Sequence, residues 1–62
     1  MDVEDWDAMV SLVEEAQQLL QDSMGMVASG RPRTAMAWLK RSRKHLRTAM
    51  EILKDHLEGG PN

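Results

Sequence analysis

An all-α fold, an antiparallel two-helix hairpin, follows from three observations. Chain-breaking residues cluster only at the middle and at the end of the chain. Apolar residues recur at alternating steps of three and four on both sides of the middle, and no period-two strand pattern competes. The middle cluster is Ser29-Gly30-Arg31-Pro32 and the last is Gly59-Gly60-Pro61, with the isolated Gly25 the exception. A chain of 62 residues supports one domain at most, so residues 1–62 read as a single hairpin unit.

The first helix is expected over about 3–28. Asp2 suits its N-cap, and Glu4, Asp5 and Asp7 complement the positive end of the helix dipole. Gly25 costs about 1 kcal/mol relative to Ala within a helix and falls on the polar face with Asp7, Glu14 and Gln18, where fraying of the last turn is expected. Gly30 tolerates the left-handed conformation that closes a helix, and Pro32 suits the first turn of the next, which makes 29–32 the turn. The second helix is expected over about 33–57. Lys54 and His56 lie at its negative end, Gly59 is expected to stop it, and 58–62 reads as a frayed tail.

Two heptad seams run along these helices. Trp6, Met9, Val13, Ala16, Leu20, Ser23 and Val27 form the first; Ala35, Leu39, Ser42, Leu46, Ala49, Leu53 and His56 form the second. Large and small residues alternate in each. If facing residues have numbers that add to about 65, Ala16 meets Ala49 and Ser23 meets Ser42, although the turn centre sets a slightly lower sum. Flanking residues such as Val10, Leu12, Leu19, Met36, Met50 and Ile52 widen each face beyond what one neighbour needs. A homodimeric four-helix bundle is therefore expected, with Val13, Ala16, Leu20, Leu39, Leu46, Ala49 and Leu53 as its core. A chain of this size buries only about 60% of its unfolded surface, and with no cysteine there is no disulfide to help.

This layout of two equal helices with alternating small and large heptad layers resembles the Rop-type helical hairpins, small RNA-binding regulators of plasmid copy number. The resemblance is architectural and spans the whole chain. It implies a dimeric bundle and a regulatory, nucleic-acid-binding role. In the Rop type that role sits on the first helices of the dimer, whereas here the first helix is acidic.

Charge is sorted between the halves. Asp2, Glu4, Asp5, Asp7, Glu14, Glu15 and Asp22 precede any Lys or Arg, and all 8 basic residues follow from Arg31 onward. Arg33, Lys40, Arg43, Lys44, Arg47 and Lys54 share one side of the second helix. Arg33, Lys40, Arg43, Lys44 and Arg47 are the candidate nucleic-acid contacts. The competing expectation is plain charge pairing: Glu14 and Glu15 with Lys44 and Arg47, Asp22 with Lys40, and the helical pairs Arg47–Glu51 and Lys54–Glu58. The net charge of −2 and pI of about 5.5 favour the pairing reading.

Little chemistry is expected. His45 and His56 share a helix side, but neither Glu-x-x-His nor His-x-x-x-His occurs, and further ligands would have to come from Asp2, Asp5 or a second subunit, so no metal and no cofactor is expected. No serine or threonine stands in a triad pattern and no glycine-rich phosphate loop precedes a helix. The longest apolar run, Ala35 to Leu39, falls far short of the roughly 18 residues of a membrane span, and the acidic start is unlike a secretory leader, which points to an intracellular, cytoplasmic protein. Met24, Met26, Met36 and Trp38 gather near the turn as a candidate docking cluster, because methionine adapts to partners and tryptophan anchors them. The expected function is a non-enzymatic, self-associating protein that regulates, inhibits or adapts another protein, a size and austerity shared by phage and plasmid regulators. The alternatives are nucleic-acid binding through the basic side, or an obligate subunit of a larger helical complex. Neither a membrane nor a small-molecule substrate is expected as a partner.

Overall fold

A computed structural model describes residues 3–59; the expected cap at Asp2 and the residues Gly60 and Pro61 lie outside that range. Two α-helices, α1 (Val3–Ala28) and α2 (Pro32–Gly59), pack against each other as a hairpin. The first has the expected bounds. The second starts a residue earlier, because Pro32 needs no donor in the first turn, and it runs through Gly59 rather than stopping before it. Helix α1 does not fray at Gly25, which lies inside the helix and whose carbonyl accepts from the Ser29 N–H at 3.0 Å.

The turn is closed by backbone hydrogen bonds, with the Ser29 hydroxyl donating to the Gly25 carbonyl at 2.9 Å beside them. Gly30 has φ of 76°, the left-handed conformation that costs other residues about 1 kcal/mol or more. That twist lets the Arg31 N–H donate to the Met26 carbonyl at 2.7 Å and the Gly30 N–H to the Val27 carbonyl at 3.1 Å, the paired bonds of a Schellman closure. The Arg31 carbonyl then accepts from the Ala35 N–H at 3.0 Å and opens α2.

The helices meet on their small residues. Ala16, Ser23, Ala35, Ser42 and Ala49, each seven residues from the next on its helix, are buried to 2% exposure or less. Met9 and Leu19 complete the buried set. Apart from Met9, the large members of the expected seams are only partly covered: Val13, Leu20, Leu39 and Leu53 remain 38–39% exposed, Trp6 and Val27 more so, Leu46 is half-buried and His56 exposed. The seam splits because one heptad step already fills the gap between two closely packed helices. The next step, turned by about 50°, points to one side.

The register also differs from a sum of 65. His45 Nε2 lies 3.4 Å from Glu15 Oε2, Leu20 shares a groove with Leu39, and Asp5 shares one with Asp55 and His56. Residues at one height thus have numbers that add to about 60, as 15 and 45 do. The heptad layers nearest that sum are Met9 with Ala49, Ala16 with Ser42, and Ser23 with Ala35. Only three residues, Ser29 to Arg31, separate the helix ends, and this short turn sets the lower sum. The two seam serines are satisfied within their own helices, Ser23 Oγ donating to the Leu19 carbonyl at 2.7 Å and Ser42 Oγ to the Leu39 carbonyl at 2.8 Å.

Candidate interaction surfaces

The hairpin has two unlike sides. On the first, α1 turns Leu12, Leu19 and Met26 inward, and α2 turns Trp38, His45 and Ile52 toward them; all six are buried or half-buried. The Glu15–His45 contact and a groove lined by Leu19, Trp38, Arg41 and His45 finish this side. The Arg41 guanidinium lies 5.7 Å from the centre of the Trp38 ring, within cation–π range. Arg41 is a functional candidate that sequence reading passed over. Its signal was the i,i+3 spacing from Trp38, which places both on one helix face.

The second side is open. Trp6, Val13, Leu20 and Val27 of α1 and Leu39, Leu46 and Leu53 of α2 run along it in two facing rows. Outside them lie Val3, Val10 and Met24 on α1 and Met36, Met50 and Leu57 on α2. Exposure on this side reaches 71% at Met24 and 77% at Leu57. Leu20, Met24, Val27 and Leu39 border one shallow apolar groove near the turn, and Met50, Leu53 and Leu57 border another toward the far end. Contiguous apolar area of this kind marks an interaction site.

The expected docking cluster is therefore divided. Met24 and Met36 belong to the open side, whereas Met26 and Trp38 turn to the closed one. Proximity to the turn brought the four together in sequence, but a rotation of about 100° per residue separates them.

The expected cross-hairpin charge pairing is also corrected. Glu15 meets His45, and Asp22 Oδ1 accepts from Gln18 Nε2 at 3.1 Å. The Lys54–Glu58 pair forms at 3.9 Å. Lys40, Arg43, Lys44 and Arg47 line one shallow groove, and none of them approaches a described carboxylate within ion-pair distance. The cause is rotational. With Ala35, Ser42 and Ala49 facing α1, Lys40 and Arg47 lie about 155° round the helix and point away from it. Arg33 continues the same row seven residues before Lys40.

The hydroxyls of Ser23, Ser29, Ser42 and Thr48 all donate to backbone carbonyls of the preceding turn. Asp5, Asp55 and His56 line an open groove but do not converge on one point, and among the described residues no group of three His, Asp or Glu side chains is placed to hold a metal ion. Among the described residues no helix is long and apolar enough to cross a membrane. Compared with protein-family models, with curated proteins and with solved structures, the chain matches none.

Proposed function

We propose that this hairpin is a cytoplasmic, non-enzymatic protein that self-associates into a four-helix bundle and regulates, inhibits or adapts another protein by binding it. The observation that carries the reading is the open side: two rows of large apolar residues, continuous along both helices, beside a seam filled mainly by alanine and serine. Covering such rows is what a second hairpin does in a bundle. The target surface in this reading is the closed side, where Trp38 and Arg41 remain accessible after self-association. Tryptophan and arginine are the residue types that dominate binding energy at protein interfaces.

The test has two parts. Sedimentation equilibrium across a concentration series should give a species of about 14 kDa, twice the 7.0 kDa chain. Chemical crosslinking in the source cells should then join the intact protein to a distinct protein partner, and Trp38→Ala should lose that partner without losing the 14 kDa species. A variant that still captures the partner at full strength removes Trp38 from the target surface.

A second reading is favoured by one observation, the four basic side chains of α2 that have no acidic partner among the described residues. In it, Lys40, Arg43, Lys44 and Arg47, with Arg33 beyond, bind nucleic acid. Affinity for a labelled duplex would then fall steeply with salt, and further when the four are changed to Ala. An unchanged gel shift sinks this reading.

A further inference from the structure

We infer that the occupant of the open side is a second copy of this chain, seated so that α1 of each hairpin lies antiparallel against α2 of the other. This rests on the self-association proposed above and specifies its geometry.

Size is the first argument. The hairpin measures 49 × 17 × 11 Å across its Cα atoms, so its broad side has an outline of 49 × 17, about 830 Å². A standard stable interface takes about 800 Å² from each partner. One copy of this face therefore suffices for another.

The second argument is how the rows match in height. In the register set by Glu15 and His45, the rows of the open side fall level in pairs: Leu20 with Leu39 and Val13 with Leu46, then Met24 with Met36 and Val10 with Met50. Two polar residues interrupt the outer rows, Gln17 on α1 and Arg43 on α2, and they are level with each other. Beyond these, seven-residue rows of charge flank the face. Asp7 and Glu14 flank α1, and Lys54 and Arg47 stand at the same heights on α2. Within one hairpin these charges point away from each other and do not pair.

A two-fold axis leaves two ways to seat one hairpin on another. If the axis runs across the helices, α1 covers α1 and α2 covers α2. Acidic flank then meets acidic flank, basic meets basic, and Arg43 enters the interface opposite basic α2. If the axis runs along the helices, α1 covers α2 at unchanged height. Glu14 then lies beside Arg47 of the second copy, Asp7 beside its Lys54, and Gln17 beside its Arg43. Each contact occurs twice by symmetry. Leu20 and Leu39 from both copies close one layer, Val13 and Leu46 the next. Like-charge juxtaposition disfavours the first seating and charge complementarity selects the second.

The experiment is sedimentation equilibrium of the full chain at low salt, with Glu14→Lys, Arg47→Glu, the double variant and Gln17→Glu. Circular dichroism checks that each keeps the parent helicity; all three positions are exposed. Each single reversal should raise the dimer dissociation constant about tenfold, and the double should return to within about threefold of the parent. Gln17→Glu should tighten the dimer several-fold, because the new carboxylate faces Arg43 of the second copy. These differences should shrink in high salt. A dimer that Glu14→Lys tightens and Gln17→Glu weakens overturns this seating in favour of like helices together, while leaving self-association intact. A dimer indifferent to all four variants also overturns the seating. A chain that stays at 7.0 kDa throughout overturns both the seating and the self-association on which it rests.

Discussion

Leu19 and Leu20 are neighbours in the chain and end on opposite sides of the hairpin. Leu19 is 8% exposed, closed in beside Trp38 and His45, whereas Leu20 is 39% exposed on a row of aliphatic residues. The two leucines are chemically identical, so the difference teaches what completes each side. The closed side uses one broad aromatic residue, a histidine–carboxylate contact and inward-turned Leu and Ile, all supplied by this chain. The open side has equally large residues, but in two facing rows whose only neighbours are each other. One hairpin can cover one flank of its seam; the second flank needs another pair of helices.

The strongest way to break the contrast is a charge on the open side. Leu20→Asp should raise the dimer dissociation constant roughly a thousandfold, since each carboxylate enters an apolar layer beside Leu39 of its own chain and of the second copy. The mass measured in the ultracentrifuge should fall to that of one chain. Truncation on the closed side should act differently. Leu19→Ala removes a buried side chain from the hairpin itself and should cost about 2–4 kcal/mol in urea unfolding, with the loss persisting at concentrations where the chain is monomeric. If Leu19→Ala instead altered only self-association, the division into two sides would be wrong.

The seam between the sides offers a third test. Ala16 is 1% exposed in the seam between the two helices. Ala16→Leu has no room and should destabilise by about 1–3 kcal/mol, again by urea titration. The smallest effect belongs to neither side. A methyl group at Gly25 would meet nothing within 4 Å, and the residue is helical. Gly25→Ala should therefore raise the melting temperature by a few degrees, a gain of about 0.5–1 kcal/mol. A loss on Gly25→Ala would mean that a partner's backbone comes close there.

The elements were legible from local signals. Gly30 and Pro32 mark the corner because φ preference and a missing donor act on single residues, wherever the rest of the chain lies. The alternating three–four spacing gave two helices and the faces they turn inward. The small residues Ala16, Ser23, Ala35, Ser42 and Ala49 stand in those seams and are buried as expected of them. The candidate surface was legible only in part. Val13, Leu20, Leu39 and Leu53 were visible as apolar heptad residues, but spacing alone does not say whether they fill the hairpin or remain on its side. Met24 and Met36 separated from Met26 and Trp38 for the same reason.

The sequence by itself therefore determined the two helices, their antiparallel return and the sorting of acid and base between them, since each depends on neighbours within a few residues. Only the tertiary structure decided the register and hence the partners. The height at which α2 returns sets whether Glu15 meets His45 or Lys44. The rotation of each helix about its axis sets whether Leu20 is buried or offered. Both are properties of how two helices settle against each other, and the close packing of alanine on serine chose among arrangements that the periodicity left equivalent.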